Sequence, residues 1–273
     1  MAGVAAEPVS RARAVLRAVA GASAALAPDA GPLALGLADA LAAPPVDFAE
    51  VARQWAALAE MQGVRPETRR LLAHLAARQR PPLPGDHLAS MVGLPLGLPV
   101  ALATFRSPRD LLGTAYHAAR LTTADEHLTW GTVGIGVAAA RFLLGKVDFI
   151  PDVIEALAVN DAPAGLLDAI RRVPVLPPSP ERGEPRWPED RGSRAVVAAL
   201  WAAYRCPAGD GTVAWFDRAG IREDAAVAAA GLLAARDGEP RIPRAWLPAG
   251  VERQRCDDLA ARLAGPHPSG AQE

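Results

Sequence analysis

Apolar residues recur along this chain at three- and four-residue spacings, broken by short polar or proline-rich stretches, and that rhythm predicts helices almost throughout. A first helix is expected over 11–27 with Ser10 as its cap, and a short apolar one over 33–42. Asp47-Phe48-Ala49-Glu50 has the spacing of a capping box, after which Val51, Trp55, Leu58 and Ala59 share a face. Pro66 suits the first turn of the next helix, with Leu71, Leu72 and Leu75 inward. Residues 80–85 read as loop, and 85–98 as a mixture of turn and short helix because prolines and glycines forbid a straight one.

Farther on, Ser107-Pro108-Arg109-Asp110 opens a helix, and Thr123-Ala124-Asp125-Glu126 reads as a second capping box before a long apolar helix ending near Gly145. Helices are expected over 151–159 and 164–172, and an exposed loop over 173–192. Ser193 is expected to cap a helix ending near Tyr204. The helix starting at Ala225 is built almost wholly of small residues and stops at Asp237-Gly238. Small side chains allow close helix approach, so it belongs at the centre of a bundle. A last helix is expected over 252–264. No run alternates as a strand does. The expectation is an all-α, single-domain multi-helix bundle over 1–265 with a frayed tail over 266–273.

Composition narrows the function classes. A chain of 273 residues, 51% hydrophobic, can bury a large core. Its formal net charge is −1, so it carries no electrostatic footprint for nucleic acid or an anionic membrane. The apolar stretches 92–104 and 131–144 are shorter than the roughly 20 residues of a membrane-spanning helix. A cytoplasmic protein is expected. Cys206 and Cys256 lie in no metal or redox spacing and are read as idle thiols.

Isolated chemical signals are weak. No histidine pair has a zincin spacing, although His117 and His127 flank one loop. Ser90 lacks the nucleophile elbow, and Gly93 and Gly97 follow no strand and precede no lysine, as a phosphate loop requires. Trp55, Trp130, Trp201, Trp215 and Trp246 fall mainly on apolar faces and belong to core or interface.

Taken together, several segments resemble the ADP-ribosylglycohydrolase family, in the family's order. Residues 11–25 look like its opening helix, with Gly21-Ala22-Ser23-Ala24-Ala25 at a Gly-Asp-Ala-Leu-Gly turn. Residues 33–41 and 48–55 resemble the next two helices. Residues 87–98 resemble a middle motif, keeping Met91, Pro95, Leu96, Gly97 and Leu98. Residues 225–246 look like the last helix and its Ile-Pro-x-x-Trp segment. The resemblance implies the ADP-ribosylglycohydrolase type of helical bundle. In that family two magnesium ions between two acidic motifs promote hydrolysis of an ADP-ribosyl bond. Two dications a few ångströms apart need several anionic oxygens around them.

Those oxygens are depleted here. The family's Thr-Asp-Asp-Thr falls on Pro28, Asp29, Ala30 and Gly31, and its Gly-Gly-Asp-x-Asp-Thr on Ala219 to Asp224, where Ile221 replaces an acid. Shifting the frame by one residue puts Arg222 at the first acid instead. The residual metal ligands are then at most Asp29, Glu223 and Asp224, against roughly five or six expected for a dimetal site. Acids at helix starts also serve the helix dipole, which is the alternative role for all three. The middle motif and the threonine before the long helix imply that His87, Met91, Gly93 and Thr123 line a ligand cleft. The resulting expectation is a catalytically impaired homologue, not needing magnesium, that binds an ADP-ribose-like molecule or a protein partner. Two alternatives stay open: an active hydrolase with a rearranged, metal-poor site, and a purely structural helical interaction module.

Overall fold

In a computed structural model, residues 3–86, 88, 90–180, 186–207, 209, 211–239 and 242–264 are described. Among them the chain forms α1 (Gly3–Leu26), α2 (Ala30–Leu41), α3 (Phe48–Ala56), α4 (Pro66–Arg78), α5 (Gly97–Thr104), α6 (Pro108–Arg120) and α7 (Glu126–Leu143). It continues through α8 (Ile150–Ala158), α9 (Ala164–Arg171), α10 (Arg191–Arg205), α11 (Thr212–Ala219), α12 (Glu223–Asp237) and α13 (Gly250–Ala264). Single 3-10 turns link several of them, and no extended strand occurs among the described residues. No described helix is long and apolar enough to cross a membrane.

The alanine-rich α12 is central, as its composition predicts. It packs most closely on α1 and also meets α10, α7 and the 3-10 turn Met91–Leu96. All its residues from Asp224 to Ala235 are buried. A second close crossing joins α5 to α7. A Cβ on Gly97 would lie 2.3 Å from the Thr132 carbonyl oxygen and 2.7 Å from the Gly136 nitrogen, so only glycine lets these backbones meet. Four of the five tryptophans assigned to the core, Trp55, Trp201, Trp215 and Trp246, are at most 3% exposed. Trp201, Trp215, Phe216 and Trp246 form a chain of ring contacts tying α10 and α11 to the turn Arg244–Trp246.

Several local expectations shift. Ser10 lies inside α1, which starts at Gly3, so it caps nothing. The second helix starts at Ala30, three residues before the apolar run begins. Asp47 does cap α3, accepting from the Ala49 and Glu50 N–H groups. Asp125, two residues after Thr123, caps α7 by accepting from the Leu128 N–H, while Thr123 Oγ1 accepts from the Asp125 N–H. Asp190 rather than Ser193 caps α10, because its carboxylate reaches the Ser193 N–H at 2.6 Å.

The predicted exposed loop after α9 is pinned along part of its length. Val173 and Leu176 are buried, and the Trp201 indole N–H and the Arg205 guanidinium donate to the Pro177 and Pro174 carbonyls. The reading missed α11 altogether. Its buried Thr212, Trp215, Phe216 and Ala219 are nonetheless spaced as one helical stripe. The tail over 266–273 lies outside the described residues.

Candidate functional site

Asp29, Glu223 and Asp224 come together, as the resemblance requires, at the N-terminal ends of α2 and α12. Asp29 precedes α2 at the N-cap position, yet its side chain makes no capping bond. Ser23 performs that task instead, its Oγ accepting from the Gly31 N–H at 2.6 Å while donating to the Ala27 carbonyl. The Asp29 carboxylate is therefore free for another partner. Asp224 lies in the first turn of α12, whose N-cap residue Arg222 provides no side-chain bond either. Asp29 is 3% exposed and Asp224 1%.

Their shared partner is Arg65, a residue that the sequence reading did not single out. It precedes Pro66, and a following proline keeps a residue out of the helical region. Its backbone is accordingly extended, with φ −63° and ψ 150° at the N-cap of α4. The guanidinium Nε donates to Asp29 at 2.8 and 3.0 Å, and Nη2 lies 2.8 Å from the same carboxylate. On the other side Nη1 and Nη2 grip Asp224 in a two-pronged pair at 2.8 and 2.7 Å. Nη1 also reaches the half-exposed Glu223 at 3.5 Å. The five guanidinium donors are thus shared among three carboxylates.

Charge follows geometry. Burial alone would disfavour the cation on Arg65, but its bonds to Asp224 and then Asp29 outweigh that and lift its pKa above the ordinary arginine value. Burial pushes the Asp224 carboxyl up, aided by Asp29 and Glu223, and Arg65 works against that rise. A paired, planar fork on two buried carboxylates is the geometry in which arginine excels.

The two aspartates present their oxygens to Arg65. The oxygens that would ligate a metal are spent on Arg65, and a fixed positive charge sits between them. Ile221, at one of the acidic positions, is buried in the core at 3% exposure. Arg222 is exposed, so the cation of the cleft is Arg65 rather than Arg222. Among the described residues no group of three or more side chains is arranged to hold a metal ion. The void beside Asp29, lined by Leu33, Val64 and Leu72, measures about 10 Å³, room for one water at most.

One backbone feature marks the same spot. Glu223 has φ +51°, a left-handed conformation that a non-glycine residue holds at a cost of about 1–3 kcal/mol.

The expected ligand residues divide. His87 lies outside the described residues. Met91 and Gly93 sit in the turn Met91–Leu96, which packs against α2 and α12. Gly93 stands so close to Thr122 that a Cβ would fall 2.0 Å from its hydroxyl. Thr123 is buried and bonded within its own turn. His117 and His127 do not pair: His117 meets the rings of Phe48 and Tyr116. His127 Nδ1 faces Asp190 and Ser193 at 3.0 and 2.8 Å. Because both contacts fall on one ring nitrogen, this cluster is not a catalytic triad, in which acid and nucleophile take opposite nitrogens.

Comparison with known proteins agrees with the architecture. A solved structure described as an ADP-ribosylglycohydrolase-related protein complex superposes with a TM-score of 0.68 at 21% identity, covering 94% of this chain and 98% of that one. Among curated proteins no sequence match is found. The family model described as ADP-ribosylglycohydrolase matches residues 6–271, nearly the full length, and the chain belongs to that family.

Proposed function

We propose that this chain is a non-hydrolysing member of the ADP-ribosylglycohydrolase family, in which an arginine clamp takes the structural place of the family's metal ions. One observation carries the reading: the Arg65 guanidinium bridges Asp29 and Asp224 with bonds of 2.7–3.0 Å. Hydrolysis of an ADP-ribosyl bond at neutral pH needs an activated water and stabilisation of developing charge. The clamp offers neither, because its carboxylates are engaged and its cation is neutralised. The remaining role is to bind a protein or an ADP-ribose-like molecule outside the clamp, since neither buried aspartate is open to an arriving ligand.

The test is release of free ADP-ribose from an ADP-ribosylated protein and from a small ADP-ribosyl conjugate, with magnesium present, followed by chromatography. No release above the protein-free blank is expected. Turnover that disappears in Asp29→Asn, with folding intact, would overturn the proposal in favour of a rearranged active site.

A further inference from the structure

One well-formed cavity lies apart from the clamp. It lies between the start of α6, the C-terminal half of α7 and α8, with a volume of about 290 Å³. Its walls are apolar, with Phe105, Leu112, Val137 and Leu144 among them, and none of Asp29, Arg65 or Asp224 contributes. A cavity of this size with apolar walls and few polar groups is the usual form of a small-molecule site.

Its polar groups are two arginines, and they differ. Arg141 is neutralised by Asp152 at 2.8 Å. Arg106 is exposed and has no ion pair among the described residues, and its guanidinium lies 4.6 Å from the centre of the Phe105 ring. That cation–π contact favours a guanidinium position beside the Phe105 wall of the pocket. The nearby acid Asp110 is engaged by the Ser107 hydroxyl at 2.6 Å. The pocket therefore joins an apolar chamber to one unneutralised, oriented guanidinium, whose planar fork matches a carboxylate.

We propose that this pocket binds a small molecule with an apolar body and a carboxylate head, the body filling the chamber and the head bonding to Arg106. Such a ligand gains twice, by burying its apolar surface and by neutralising a cation beside a low-dielectric wall.

Octanoate and its uncharged counterpart octan-1-ol, titrated into the full-length protein by calorimetry, test this. Octanoate is expected to bind more tightly than the alcohol. Arg106→Gln, at an exposed position, is expected to weaken octanoate about tenfold and leave octan-1-ol unchanged, as loss of one charge-assisted bond implies. Ala156→Trp, which puts an indole into the chamber from half-buried Ala156 on α8, is expected to abolish both. Octanoate that binds no better than the alcohol, an unaffected Arg106→Gln, or full binding in Ala156→Trp would each overturn the assignment. No readout depends on hydrolysis, so the outcome stands apart from the clamp.

Discussion

Removing the guanidinium of Arg65 is the sharpest perturbation of this molecule. Arg65→Ala would leave two carboxylates, each at most 3% exposed, without a counter-charge. At an effective dielectric near 20, each pair at about 4 Å is worth about 4 kcal/mol of attraction, part of it offset by desolvation. Breaking a buried pair by removing one partner costs about 3–5 kcal/mol, and for a chain of this length that lowers Tm by about 6–10 °C. The loss should depend on pH in a definite direction. With Arg65 gone, burial, Asp29 and Glu223 all raise the Asp224 pKa, and the bonds and charge that worked against that rise are lost. A carboxyl whose folded pKa exceeds its unfolded value destabilises the fold when ionised, so the deficit is greatest at about pH 8 and shrinks toward about pH 5. Thermal unfolding of wild type, Arg65→Ala and Arg65→Met across that range checks this. Methionine keeps most of the stem and fills the space, so it shares the electrostatic loss. Only alanine leaves room for a dication, so manganese should raise the Tm of Arg65→Ala alone, by an amount corresponding to about 1.4 kcal/mol at ten times its Kd. A deficit below about 1 kcal/mol, or one independent of pH, would refute the clamp as the element holding these acids.

Three further outcomes follow from particular residues. Glu223→Gly removes a left-handed non-glycine backbone and only a long 3.5 Å contact, so it should stabilise by about 0.5–1 kcal/mol in chemical denaturation, and a loss would show that the acid matters more than the strain. Gly97→Ala must push its Cβ into the fixed backbone of α7 and should cost about 3 kcal/mol or more. Gly231→Ala meets the movable end of Leu98 and should cost about 1 kcal/mol, so equal costs by the same assay would contradict the crossing geometry. Burial pushes both Cys206 and Cys256 up to about 12, so neither thiol should react with Ellman's reagent at about pH 8 until the chain is unfolded, when both should.

The fold was largely legible because it is written in periodicity and in small residues. The alanine run of α12 announced a central helix, and α12 is central. Errors came where a signal was brief or shared. The stripe of α11 spans only eight residues, and three cap assignments failed. In two of them the reading chose a hydroxyl where a nearby aspartate held the geometry. Asp29, Glu223 and Asp224 were gathered through the resemblance, since positions 29 and 224 lie far apart in sequence.

Arg65 was not legible in that way, because nothing about the string Gly-Val-Arg-Pro distinguishes its arginine from the other basic residues. A physical rule could still have called for it. Two acids placed at buried helix starts cannot remain charged without a cation close by, and a basic side chain of the chain itself can supply it. The candidates are then basic side chains that can be held extended at a helix start, and an arginine fixed by a following proline meets that condition. Arg65 joins the loop before α4 to the beginnings of both α2 and α12. A single organic cation does this with five directed donors, and it requires no ion from solution. The two aspartates are the anchor points of a tertiary tie, which is why neutralising either one in Asp29→Asn or Asp224→Asn should loosen the bundle rather than merely alter a surface.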